Sequence, residues 1–339
     1  MTVPDFSRVG ESPNSVSNLR AHRISDASSG ERRPSLGDIG VNALAKRLVV
    51  VQVTVAVILL ALLPRVGLTI AWSSGLPFFC GDLVLVGVWI YFWRVPGRSA
   101  EWIIPETLAA LVLMLTFTHI LSPAQYVAVA FKRPLIDPFL ASADRFLGLD
   151  VSALANWSRD HPRLNFGMAA AYYSFIPQLA ALVAVLGIVI RDREALWEYV
   201  FHFYFCSTVT VICLAVFPAA CAFQYLQFES TLNQTRFIAH FNGLRAGTFT
   251  VVRLTDMEGL ISMPSLHVAG AFMVVWALRR HRKALFAAAP VNLVLIAATV
   301  MTGAHYVVDL AGTLAMFGLS LTLWQVYGRP LLGSSTAGG

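Results

Sequence analysis

Charged side chains are scarce in this sequence. Asp, Glu, Lys and Arg make up 13% of its 339 residues, where soluble domains carry about 25%. With 57% of the residues apolar, a soluble fold would lack the polar surface to cover its exterior. The net charge of +6 does not point to nucleic acid. The basic residues lie in an N-terminal stretch and in short loops between apolar blocks, the pattern of cytoplasmic membrane flanks. Cysteine offers no scaffold: Cys80, Cys206, Cys213 and Cys221 form no C-x-x-C pair. Neither a disulfide framework nor a zinc knuckle is therefore indicated, and the four read as small buried hydrophobes. An H-x-x-x-H pattern and an Asp-rich ligand set are both missing, consistent with a chemistry that needs no metal or other cofactor. A G-x-S-x-G elbow and an inverted repeat of broken helices are missing as well.

What is present is a series of apolar blocks long enough to cross a hydrocarbon core, which takes roughly 20 helical residues. They predict an all-α transmembrane bundle of six to eight spans, with eight preferred, near 47–64, 78–95, 102–121, 166–190, 196–220, 264–279, 285–302 and 305–326. The second and third lie close enough together for one of them to be re-entrant. Residues 1–45 have no apolar periodicity, h-region or cleavage site, and read as a disordered cytoplasmic tail rather than a signal peptide. The remainder divides into N-terminal membrane helices over 46–100, a catalytic membrane domain over 101–327 and a disordered tail over 328–339. With eight spans, Arg20, Arg23, Arg32, Arg33, Lys46 and Arg47, the Arg94/Arg98 and Arg191/Arg193 links, and the basic run Arg279-Arg280-His281-Arg282-Lys283 share one side with both termini. Positive-inside makes that side cytoplasmic. A bacterial inner membrane, with the site facing the periplasm or exterior, is the expected setting.

Two stretches carry chemistry: Ser262-Met263-Pro264-Ser265-Leu266-His267, opening the sixth span, and Gly303-Ala304-His305-Tyr306-Val307-Val308-Asp309, opening the eighth. The topology brings both to the same non-cytoplasmic surface. His305 and Asp309 are four apart, a spacing that shares one helix face. A carboxylate on one ring nitrogen fixes the tautomer and frees the other as a nucleophile. Pro264 suits a first helical turn, whose free N–H groups, with Ser262 and Ser265 nearby, make an anion site. His267 projects from that turn and is placed to protonate a leaving oxygen. Taken singly, an interfacial histidine, an H-x-x-x-D or a Pro-Ser cap is commonplace; the conjunction and order of the two stretches carry the catalytic reading.

At these residues the chain resembles the type 2 phosphatidic acid phosphatase superfamily, and its inositol phosphorylceramide synthase branch in particular. Ser-Leu-His, Gly-Ala-His-Tyr-Val-Val-Asp, Pro134-Leu-Ile-Asp137-Pro138 running into Ala143-Asp144-Arg145-Phe-Leu-Gly148, and Leu244-Arg245-Ala246-Gly247 carry the likeness, which covers roughly residues 100–326. It implies that His305 is the phosphorus nucleophile, that Asp309 orients it, that His267 is acid and then base, and that no metal is needed. The chain departs from the phosphatase pattern. Tyr126 stands where a lysine seven residues before Arg133-Pro134 belongs, and Ala298-Thr299 where Ser-Arg would precede the distal histidine. Charge stabilisation of a transferring phosphoryl group must then come from elsewhere. Arg245 is the first candidate, with Arg253, Lys132 and Arg133 behind it and Ser265 beside them.

Lesser features are weighed as structural. Tyr172-Tyr173-Ser174 could line a headgroup pocket, but interfacial tyrosines usually anchor. His119, His161, His202 and His240 have no partner at useful spacing. Asp137 and Asp144 organise the long 122–165 loop rather than contact a polyol acceptor. Within that loop, Leu135, Ile136, Phe139, Leu140, Phe146 and Leu147 recur at the spacing of short interfacial helices. The expected partners are the membrane, a lipid substrate and an alcohol or polyol acceptor, with sphingolipid chemistry implied by the branch. Two alternatives stand beside the enzyme of lipid phosphates. One is a lipid transporter or flippase, which leaves the histidine motifs without a purpose. The other is a serine hydrolase using Ser265 or Ser262, for which Ser265 sits poorly with respect to His267.

Overall fold

The computed structural model describes residues 42–94 and 102–333. Most of the expected N-terminal tail, Arg98, and the last six residues of the expected C-terminal tail lie outside the described residues. In chain order the elements are α1 (Ala43–Leu62), β1 (Thr69–Ala71), α2 (Leu76–Arg94), α3 (Ile103–Ala130), α4 (Asp137–Phe146), α5 (Val151–Arg159), α6 (Pro162–Tyr173) and α7 (Phe175–Ala184, prolonged to Ile190 as a π-helix). They continue as α8 (Arg193–Val216), α9 (Ala222–Tyr225), α10 (Thr235–Ala246), β2 (Val251–Arg253), α11 (Leu266–Ala277), α12 (Arg282–Met301) and α13 (Val308–Leu323). A π-turn over Trp324–Gly328 and a last helix, α14 (Arg329–Gly333), close the described chain.

The all-α expectation holds, with one small departure. β1 and β2 pair in parallel, Thr69 opposite Val251, tying the α1–α2 link to the segment that leads into α11. Among the described residues six helices are long and apolar enough to cross a membrane: Ala43–Val66, Trp72–Arg94, Ile103–Ala130, Arg193–Val216, Arg282–Met301 and Val308–Leu332. A seventh crossing arises if α6 and α7, bent by 47°, count as one. The one remaining expected segment, the sixth, is α11, only 12 residues long.

Several boundaries differ from those read in the sequence, for identifiable reasons. The third span continues nine residues past the expected end at 121, through Pro123, because Tyr126 to Ala130 are buried and packing holds the helix together. The fourth breaks at Ser174. Pro177 has no N–H to offer the carbonyl four residues back, at Tyr173, and that is where the axis bends. The second and third spans are both of full length, so neither is re-entrant by this measure.

Caps set the helix starts. Asn42, Asp150, Asp192 and Ser265 each accept a bond from the backbone N–H three residues on, at 2.8, 3.0, 2.9 and 3.3 Å, satisfying a donor that the helix leaves free. The N-terminal hairpin lies outermost: α2 buries no residue within the chain, whereas half of the most apolar window of α8 is buried. At the centre stands α11, packed against α7, α8, α12 and α13. Its contact with α7 is close, since a Cβ on Gly270 would lie 2.2 Å from the Phe175 ring.

Candidate active site

Both motifs meet at the N-terminal end of α11. His305 does not lie on a helix, as its spacing from Asp309 suggested, but in the corner between α12 and α13. Gly303 makes the corner possible: its φ is +85°, and a side chain there would strike the Phe228 ring 2.5 Å away. Nδ1 of His305 nevertheless lies 3.3 Å from Oδ2 of Asp309, and the same oxygen accepts from the Tyr306 N–H at 3.1 Å. His305, at 2% exposure, and Asp309, at 0%, are buried together.

The other ring nitrogen of His305, Nε2, is 3.1 Å from Oγ of Ser265. With Asp309 holding the proton on Nδ1, Nε2 is an acceptor and the Ser265 hydroxyl donates to it. Ser265 is the cap of α11, and its own N–H donates to Oγ1 of Thr313, which in turn donates to the Asp309 carbonyl (2.8 and 2.7 Å). Pro264 therefore precedes the cap instead of occupying the first turn, which begins at Leu266. Ser262 is buried, and its Oγ has no hydrogen-bond partner among the described residues.

His267 faces this pair from the first turn of α11. Its ring centroid is 6.5 Å from that of His305, and its outer faces are covered by Tyr172, stacked at 4.1 Å, and Phe175, at 4.4 Å. Tyr172 is thus a neighbour of the site rather than a simple anchor. Sequence singles out Tyr172, beside Tyr173, but neither Phe175 nor the bend at Ser174 that brings both rings to His267.

The corner is held from outside by α4. Asp144 accepts from the Val307 and Val308 N–H groups, at 3.0 and 2.9 Å, and so caps α13 from another helix. Asp137 accepts from the Tyr306 hydroxyl at 3.0 Å and from the Ala220 N–H at 2.8 Å. Burial pushes the Asp137 carboxyl up from its ordinary range, opposed by these bonds and by the Arg245 charge. Both aspartates organise their loop, as expected, but by fastening it to the corner that carries His305. Replacing Asp144 with Ala removes two charge-assisted caps at once. It is expected to cost about 1–2 kcal/mol, and Asp144→Asn less, measured as melting temperature in detergent.

The basic candidates separate. Arg245 donates to the Arg133 carbonyl at 2.9 Å. Nζ of Lys132 lies 3.0 Å from where a Cβ of Gly247 would be. The segments of Lys132–Arg133 and of Arg245 therefore meet, and the Asp137 charge bears on Arg245 while its carboxylate holds Tyr306. Burial lowers the Arg245 pKa while the Asp137 charge opposes the shift. Arg253 is exposed and pairs with Asp256 at 3.0 Å.

The other histidines have partners that spacing could not reveal: Asp82 for His119 (2.9 Å), the Trp157 carbonyl for His161 (2.7 Å), Ser320 for His202 (2.6 Å) and Tyr126 for His240 (2.8 Å). Among the described residues no three His, Cys, Asp or Glu side chains gather in a way that could hold a metal ion.

The chain matches the PAP2 superfamily over residues 138–323, more than half its length. It belongs to that superfamily, as a membrane-embedded protein with its lipid-phosphatase-like fold. No curated protein and no solved structure matches it. The matched stretch contains Asp144, Arg245, Ser265, His267, His305 and Asp309, and ends with α13.

Proposed function

We propose that the chain is a metal-independent lipid-phosphate phosphatase or phospho-headgroup transferase, of the inositol phosphorylceramide synthase-like kind, working through a phosphohistidine on His305. One observation carries this reading: a histidine backed by a buried carboxylate stands across 6.5 Å from a second histidine. Two imidazoles facing one gap, one of them tied to a carboxylate, can offer a nucleophile and a proton donor to the same phosphoryl group.

Nε2 of His305 attacks phosphorus once the Ser265 hydroxyl turns from it toward a phosphate oxygen. The bond from phosphorus to the leaving oxygen breaks, and His267 gives that oxygen its proton. Water, or an alcohol acceptor, then attacks the phosphohistidine while His267 takes back a proton. Asp309 supports the imidazolium character of His305 in both steps. Arg245, with Lys132 and Arg133 in the segment it touches, is the candidate source of positive charge for the equatorial oxygens, and Arg253, paired with Asp256, is a weaker one.

Counting the bent pair and α11 as crossings gives eight, with both termini cytoplasmic and the site on the far side. At about 1.5 Å per residue α11 is roughly 18 Å long, against a hydrocarbon core of about 30 Å. With the basic run after α11 at the cytoplasmic interface, His267 is recessed below the opposite surface. Exposed Phe139, Phe146 and Leu147 suit α4 to the headgroup region.

The test is phosphate and headgroup release by purified protein from a panel of lipid phosphates and phospholipids in EDTA, with and without alcohol acceptors. Activity that survives EDTA and vanishes in His305→Ala and His267→Ala supports the proposal. Equal release by wild type and both variants, or none from any donor, favours lipid transport.

One observation favours a second reading. The array from Ser265 Oγ through His305 to Asp309, at 3.1 and 3.3 Å, has the order of a serine–histidine–carboxylate triad. In it Ser265 would be the nucleophile and His305 its base.

A further inference from the structure

An apolar cavity of about 150 Å³ lies between α3, α7 and α8. Its walls include Leu111, Leu115, Leu179 and Val183, and it is closed at one end by Phe175 and Leu266. These two are the neighbours of His267: Leu266 precedes it in the chain, and the Phe175 ring stands 4.4 Å from its imidazole. The polar groups of the lining lie mostly toward the same end, where Ser122 and Gln125 join it. Along α3 the lining runs from Leu111 to Gln125, a rise of roughly 21 Å. That exceeds the depth of one leaflet, about half of the ~30 Å hydrocarbon core. A second apolar cavity, between α1, α3 and α8, is larger, about 310 Å³, but has neither Phe175 nor Leu266 in its lining.

We infer that the first cavity seats one acyl chain of the lipid whose phosphate is processed at His305, with Phe175 forming the wall between chain and imidazole. The inference rests on the phosphatase or transferase reading given above. A long apolar slot that ends at the general acid fixes a substrate by its chain, and positions the headgroup without demanding contacts specific to it. Chain length thereby becomes a determinant of specificity. Ala180, on α7, lines the slot, and a bulky side chain there would shorten it.

The test uses full-length protein in phosphatidylcholine vesicles containing a phosphatidic acid probe with a mid-chain diazirine. On illumination the label is expected on peptides of residues 111–125 and 175–183, to be displaced by unlabelled long-chain phosphatidic acid, and to fall in Ala180→Phe. Label that favours the α1 wall of the second cavity, or that spreads over the outer helices and is insensitive to Ala180→Phe and to competitor, overturns the inference. In turnover, Ala180→Phe should lower the ratio of kcat/KM for long-chain over short-chain phosphatidic acid by about ten-fold or more; an unchanged ratio also counts against it. Absence of turnover on both substrates defeats the underlying reading instead, and the labelling pattern still decides the fate of the cavity.

Discussion

Given an aryl phosphate, whose leaving group needs no acid, the His267→Ala variant is expected to stop halfway, with phosphate held on Nε2 of His305. The first step needs only the nucleophile and its carboxylate, and both are intact in that variant. The second needs a base to activate water, and His267 is the imidazole positioned for it. The expected result is a burst of about one aryl alcohol per enzyme, followed by turnover slowed by about 10²–10⁴. The protein should carry a label that is labile to acid and stable to alkali, as a P–N bond is. His305→Ala should show neither burst nor label, with turnover reduced by at least about 10³. Ser265→Ala separates the two nucleophiles. If histidine carries the phosphate, the label survives that substitution; if serine does, the label disappears, and in the parent protein it has the opposite stability, holding in acid and lost in alkali. A label stable to acid in His267→Ala and absent in Ser265→Ala would replace the phosphohistidine mechanism with the triad.

Much of this site is legible in the sequence because it is local. Ser265 and His267 are two residues apart, His305 and Asp309 four, and the apolar blocks between the two pairs are dense enough to show that the chain returns to the same end of the bundle. The i,i+4 argument reached the correct pair by an inexact route. In the fold His305 precedes α13, and the carboxylate of Asp309 reaches back from the first turn to the Tyr306 N–H and the imidazole. A short corner and a helical turn place residues four apart at similar range, so spacing alone does not distinguish them.

What could not be read is tertiary. Asp144 caps a helix that starts 164 residues later, and Asp137 meets Tyr306 across 169; no periodicity records either bond. Lys132, Arg133 and Arg245 are legible only as separate candidates, because they belong to segments 112 residues apart that meet through one side-chain-to-backbone bond. In the sequence Arg253 ranks with Lys132 and Arg133, behind Arg245, and its ion pair with Asp256 distinguishes it only in the fold. Hydropathy shows where the chain is apolar, not where it bends. The break at Ser174 turns on one proline inside an otherwise uniform block, and that break brings Tyr172 and Phe175 onto His267.

The largest loss of stability is expected from Arg279→Ala, at the opposite end of α11 from the histidines. Glu198, on α8, is 1% exposed and accepts from the Arg279 guanidinium at 2.8 and 3.1 Å and from the Trp276 indole at 2.9 Å. His202 lies 3.7 Å from the same carboxylate and holds Ser320 of α13 through its other nitrogen. Arg279 also lies over the Trp276 ring, 4.3 Å from its centroid. This cluster joins α8, α11 and α13, the three helices that set the relative positions of His267 and His305. Without Arg279 a carboxylate stays buried with no compensating charge, which costs about 3–5 kcal/mol, on the order of 10 °C in melting temperature. Replacing both partners removes the stranded charge along with the pair. Glu198→Gln combined with Arg279→Met should therefore recover most of the loss, giving a coupling well above the few tenths of a kcal/mol expected of independent sites. The measurement is a thermal double-mutant cycle in detergent, with turnover per folded molecule recorded below the transition. Because α11 separates the cluster from His267 by roughly 18 Å, activity at low temperature should persist while the melting point falls. Additive effects of the two substitutions would show that the pair is not coupled, and that the end of α11 is held by apolar packing alone.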